Sequence, residues 1–128
     1  MKKEVYLDHA ATTYVDPRVM AEMEPYFTVE YGNPSSLYRL GRRAKEAIDS
    51  ARTRIAKIFH SKADEIIFTG SGTESDNLAI FGILRMNALP GEKKGHIVTS
   101  VIEHHAVLHA VEALEKEGFE ITKVPVSE

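Results

Sequence analysis

The sequence predicts an α/β fold built on a parallel sheet, and three observations carry that expectation. The second half alternates strand-like and helix-like stretches over 66–69, 74–86, 96–101, 105–117 and 119–126, the order that right-handed crossovers join into a parallel sheet. A glycine turn, Gly70-Ser71-Gly72, leads straight from the first apolar run into a helix, a junction typical of such sheets. A long amphipathic helix in the first half supplies a covering layer.

Val5-Tyr6-Leu7 reads as a short extended arm, followed by a polar turn over residues 8–13. Asp16-Pro17 is a cap with proline at the first helical position, and Val19, Met20, Met23, Tyr26 and Phe27 form one stripe of the adjoining helix. That helix should stop near Phe27, before the Gly32-Asn33-Pro34 turn, with Ser35 or Ser36 capping the next. Leu37, Leu40, Ala44, Ile48, Ala51, Ile55 and Ile58 then recur at three- and four-residue steps, with Arg and Lys opposite. Beyond them come the strand at 66–69, the helix at 74–86, a Pro90-Gly91 turn, the strand at 96–101, a helix from His105 ending at Gly118, and a last strand. Residues 1–15 read as an arm and 16–128 as part of one larger domain. Ending just past a strand at Val124-Pro125-Val126-Ser127-Glu128, the chain reads as cut rather than finished.

Composition bounds the function. At 128 residues, 43% hydrophobic and 27% charged, the chain has the make-up of one globular domain. It can bury enough surface to fold alone only if its sheet is covered on both faces. With a formal charge of −3 and no basic cluster longer than Arg42-Arg43 or Lys93-Lys94, it carries no nucleic-acid footprint. No apolar run reaches membrane-spanning length, and Met1-Lys2-Lys3-Glu4 lacks the core of a signal peptide, so a cytoplasmic location is expected. The absence of cysteine removes disulfides, thiolate metal sites and thiol nucleophiles, while six histidines leave imidazole chemistry open.

The segment Ile66-Ile67-Phe68-Thr69-Gly70-Ser71-Gly72-Thr73-Glu74-Ser75-Asp76-Asn77 reads as strand, turn and first helical turn, which together make an anion cradle. Gly70 and Gly72 are expected to take backbone angles closed to other residues, so that N–H groups converge on a phosphate, with the Thr73 hydroxyl as a further donor. A plain strand-to-helix turn is the alternative. Ligands of parallel sheets sit at the carboxyl ends of strands, where Gly70 to Thr73 and Ser100 to His105 both fall. His104 can there stack on a flat ring or move a proton, or simply cap a helix. His105 and His109, four apart with Glu112 nearby, read as a solvated helix face rather than a metal site. A dinucleotide site is disfavoured because the third glycine of its fingerprint is missing, although Glu103 could serve as the ribose acid.

Four motifs stand in register: Tyr6-Leu7-Asp8-His9-Ala10-Ala11-Thr12-Thr13, Gly32-Asn33-Pro34-Ser35-Ser36, the stretch from Phe68 to Asn77, and Glu103-His104-His105-Ala106-Val107-Leu108. In order and spacing they closely resemble the amino-terminal third of cysteine desulfurases of the NifS/IscS type. The resemblance implies part of the large domain of the aspartate-aminotransferase (type I) fold, preceded by an arm and helices, with pyridoxal 5'-phosphate as cofactor. It implies an enzyme that takes sulfur from L-cysteine, leaving L-alanine and an enzyme persulfide for iron–sulfur cluster or thiocofactor assembly. The intact enzyme is expected to be a homodimer that hands sulfur to an acceptor or scaffold protein.

By that resemblance the Gly72 N–H and the Thr73 N–H and hydroxyl hold the cofactor phosphate, and His104 stacks on the pyridine ring and assists proton transfer. His9, Ala10, Ala11, Thr12 and Asn33 line the substrate side. The chain departs from the family pattern in two places: Gly70-Ser71-Gly72-Thr73 stands where Ser-Gly-Ala-Thr is common, and Tyr38 where a histidine often comes after the Asn-Pro-Ser-Ser motif. The lysine that carries the cofactor, the aspartate at its ring nitrogen and the sulfur-accepting cysteine belong to later motifs with no counterpart here. By itself the chain is therefore expected to be inactive. The alternative is a non-catalytic assembly module that associates through the open edge of a truncated sheet.

Overall fold

The computed structural model describes residues 4–87 and 94–127. The chain divides into two compact units, Met1–Ile66 and Ile67–Glu128.

In the first unit the arm leads through a turn at residues 9–11 into α1, Pro17–Thr28. Asp16 caps it, its carboxylate accepting from the Arg18 N–H at 2.8 Å, while Pro17 occupies a first-turn position that needs no donor. The helix closes where the Val29 and Glu30 N–H groups both donate to the Pro25 carbonyl, at 2.9 and 2.7 Å. The expected apolar stripe exists, but Val19, Met20, Met23, Tyr26 and Phe27 are all exposed.

The second helix, α2, spans Arg39–Ile58 and begins later than a serine cap would place it. Tyr38 stands at the N-cap without a side-chain bond, so neither Ser35 nor Ser36 is the cap. The reason lies in the preceding loop. Asn33 folds it into a turn, its Oδ1 accepting from the Ser35 N–H at 2.9 Å and its carbonyl from the Ser36 N–H at 3.0 Å. That loop lies tight against the start of α2: a Cβ on Gly32 would sit 2.3 Å from the Leu40 oxygen, and one on Gly41 2.3 Å from the Ser36 oxygen. Any larger residue there would push the loop off the helix. Beyond Ile58 the chain reverses at His60, at φ 52°, with the Ser61 N–H returning to the Ala56 carbonyl at 2.9 Å. A single 3-10 turn, Ala63–Glu65, ends the unit, and Arg52 Nε reaches the Ile66 carbonyl at 3.2 Å. The long stripe of α2 is helical as expected, yet what it buries is Gly41, Ala44 and Ala56.

The second unit holds α3, Gly72–Met86; β1, His96–Ser100; α4, His105–Lys116; and β2, Glu120–Val124. β1 and β2 pair in parallel, from His96 opposite Glu120 to Ser100 opposite Val124, with α4 as the crossover that a parallel pair requires. The expected strand at 66–69 does not form: among the described residues the sheet consists of β1 and β2 alone. A strand is defined by a ladder, and apolar character at Ile66, Ile67 and Phe68 cannot supply the neighbour. The Pro90-Gly91 turn lies outside the described residues.

The core of this unit is one face of α4. Ala106, Ala110, Val111 and Leu114 recur at three- to four-residue steps and are buried, together with Phe119. α4 packs on α3 and on β2. Gly118, at φ 94°, ends α4 in the left-handed region that glycine enters without strain. Arg85 of α3 forks onto the Glu117 carboxylate, and the Lys94 ammonium reaches the Glu117 carbonyl. Val98, facing away from half-buried Ile97 and Ile121, is exposed, so cover on both faces is not met within the described residues.

Candidate functional site

The start of α3 is held by its own side chains. Ser71, in extended backbone, is the N-cap: its Oγ accepts from the Glu74 N–H at 3.2 Å, and its carbonyl from the Ser75 N–H at 3.1 Å. Glu74 reaches back, and its Oε2 accepts from the Gly70 N–H at 2.7 Å. This is a capping box whose return bond lands one residue before the cap. The Thr69 hydroxyl donates to the Ser71 carbonyl at 3.1 Å and lies 2.5 Å from the Ser75 hydroxyl, while Asn77 Nδ2 donates to the Thr73 carbonyl at 2.7 Å.

Gly72 and Thr73 take no part in that network through their donors. They are the first two residues of α3, where N–H groups have no intrahelical acceptor. Neither N–H, nor the Thr73 hydroxyl, finds a partner among the described residues. Two unsatisfied amides thus stand at the positive end of a 15-residue helix, a setting whose electrostatics favour negative charge.

Contrary to the expectation from sequence, neither Gly70 nor Gly72 has positive φ; Gly72 is already the first residue of α3. Gly70 is small for a different reason: a Cβ there would lie 3.3 Å from Glu74 Oε2. A Cβ on Gly72 meets nothing within 4 Å.

His104 is the N-cap of α4, separated from the end of β1 at Ser100 by a turn over residues 101–103. Its Nδ1 accepts from the Ala106 N–H at 3.1 Å, and its ring centroid lies 6.3 Å from that of His105. His105 in turn stacks on His109 at 5.3 Å. Among the described residues no three His, Asp or Glu side chains gather closely enough to hold a metal.

The remaining candidates belong to the first unit. The segment from His9 to Thr12 turns around Asp8, whose carbonyl and carboxylate both accept from the Ala11 N–H, at 3.2 and 3.3 Å. The Tyr6 hydroxyl spans the turn, 2.8 Å from the Asp8 carbonyl and 3.0 Å from that of Thr12. His9 stands edge-on to Tyr6 and shares a 3.0 Å hydrogen bond with the Thr13 hydroxyl. Asn33 is committed through Oδ1 to its own turn. That turn borders a cleft of about 700 Å³ also lined by Arg42, Lys45, Asp49 and Arg52. Sequence reasoning named Gly72, Thr73 and His104 but passed over Ser71 and Glu74, which the Ser-x-x-Glu spacing of a capping box makes readable.

Residues 5–128 match the family model for class-V aminotransferases. The chain belongs to the class-V aminotransferase family. It is 50% identical to the cysteine desulfurase IscS of Clostridium botulinum, an alignment that takes in 100% of this chain and 32% of the relative. A solved structure titled a NifS-like protein superposes with a TM-score of 0.81 at 35% identity, over 97% of this chain and 33% of that one. Another, SspA in complex with cysteine, gives 0.80 at 39% identity, over 93% and 33%. This class-V aminotransferase chain thus spans about a third of the length of its relatives, their amino-terminal part. The neighbours share the α/β architecture with parallel strands observed here.

Proposed function

We propose that this chain is the amino-terminal third of a pyridoxal-phosphate-dependent cysteine desulfurase and supplies half of its cofactor cradle. One observation carries the reading: the free N–H groups of Gly72 and Thr73, with the free Thr73 hydroxyl, stand together at the start of α3. Three donors on a helix N-terminus suit the dianionic phosphate of that cofactor.

When bound, the cofactor supplies an electron sink for the carbanion chemistry of an amino-acid substrate. The chain's own part is to hold and orient. Gly72 and Thr73 grip the phosphate, the network of Thr69, Ser71, Glu74 and Ser75 keeps those amides aimed, and the imidazole of His104 offers a flat face to the ring. The segment from His9 to Thr12 and the Asn33 turn belong to the substrate side. L-cysteine is the proposed substrate, in keeping with the cysteine complex of the structural neighbour SspA. A homodimer, a sulfur-accepting partner and a cytoplasmic setting complete the proposal.

The test is release of alanine from L-cysteine. The chain with added pyridoxal phosphate is expected to give none, since with no cysteine it cannot carry a persulfide. Mixing it with the remaining two-thirds of an IscS relative is expected to restore turnover. Alanine from this chain alone, or none from a mixture in which the two pieces demonstrably associate, would contradict the proposal.

A further inference from the structure

We infer that neutral His104 carries its proton on Nε2, because its Nδ1 lone pair is the cap of α4. Ala106 is the second residue of that helix, so its N–H has no acceptor in the helix itself. Ala106 is only 7% exposed, and the Nδ1 of His104 at 3.1 Å is the acceptor it finds. Losing that acceptor would leave a buried donor unsatisfied. A neutral imidazole has one N–H and one lone pair, so a ring that accepts at Nδ1 carries its proton on Nε2.

This deepens, and rests on, the reading of His104 as a cofactor-side residue, and it changes what that residue can do. The neutral ring presents a flat face and one hydrogen-bond donor, with no free lone pair. Its only basic nitrogen faces its own helix. Taking up a proton at Nδ1 turns that nitrogen into a donor and releases the Ala106 N–H, so protonation there and closure of the first turn of α4 oppose each other. It is a stacking and donating group that sets the orientation of what it touches.

Long-range proton–nitrogen correlation of the imidazole rings in the whole chain, labelled with ¹⁵N-histidine at a pH where the rings are neutral, reads the tautomer directly. His104→Asn identifies the His104 signals by their loss and keeps a side-chain oxygen able to cap. The expected pattern is a protonated Nε2 and a bare, hydrogen-bonded Nδ1 for His104. The Ala106 amide should exchange with solvent at a similar rate in the wild type and His104→Asn, and about 5- to 30-fold faster in His104→Ala. A proton on Nδ1, an even mixture of tautomers, or unchanged Ala106 exchange in His104→Ala would overturn the inference. Addition of pyridoxal phosphate separates the two ideas: ring signals that stay still on saturation sink the cofactor role of His104 and leave the tautomer result standing.

Discussion

A methyl group added at Gly72 would stand in open space, on backbone already at helical angles. Gly72→Ala should therefore stabilise the second unit by about 0.4–1 kcal/mol, by restricting the unfolded chain, and leave phosphate affinity unchanged because the N–H remains. Parallel thermal melts and phosphate titrations check both halves of that statement. Glu74 has the opposite standing. Its carboxylate ties down Gly70 at 2.7 Å, so Glu74→Ala should cost about 1 kcal/mol and loosen the aim of the two free amides. Glu74→Gln keeps an acceptor and should recover most of the loss; equal affinity in all three proteins would show that Glu74 does nothing for the cradle. At this scale the sequence placed Gly72 and Thr73 at a helix start, as observed, but the expected backbone angles of the glycines are absent. A glycine's φ is set by the backbone it joins, and Gly72 is already the first residue of α3.

Two helix-end carboxylates are held in their charged form by neighbouring arginines. Asp16 is held below the usual carboxylate range by its side-chain and backbone hydrogen bonds to Arg18, which lies 2.8 Å away. Glu117 is likewise lowered, first by its hydrogen bond to Arg85. A carboxyl whose folded pKa is depressed adds stability that is complete above its unfolded value and is lost as pH falls through the depressed one. Acidification below the ordinary carboxylate range should therefore release the start of α1 and the junction of α3 with α4, while the centre of α4 stays protected. Amide exchange measured along a descending pH series should show that order. Both groups are exposed, so the same order should fade in high salt. Element type was legible for the four α-helices, through an apolar stripe in α1 and α2 and through the alternation with strands in α3 and α4, whereas the 3-10 turn at Ala63–Glu65 was not foreseen. Neither the state of residues 66–69 nor the start of α2 was legible. One depends on a neighbouring strand, the other on a turn around Asn33 packed on Gly41, and neither is written in a local pattern.

Across the described residues the fully buried large side chains are Leu114 and Val111, while Leu37, Ile58, Phe59, Ile67 and Val98 lie well exposed. A chain of this length would ordinarily bury about two-thirds of its unfolded surface. The contrast agrees with a chain that spans a third of its relatives' length: its helices and strands are specified, and much of what should cover them is not among the described residues. Family membership was legible because four motifs keep their order and spacing. The separation into two units was not, since no linker or composition shift marks residue 66. The proposed function rests on the start of α3 gripping the phosphate of pyridoxal phosphate. Amide proton–nitrogen spectra of the chain, titrated in parallel with pyridoxal phosphate, pyridoxal and inorganic phosphate, read that grip at the two amides themselves. Saturable shifts are expected at Gly72 and Thr73 with the two phosphate-bearing ligands and none with pyridoxal. Shifts confined to lysine-bearing helix faces, or the same response to pyridoxal, would contradict it.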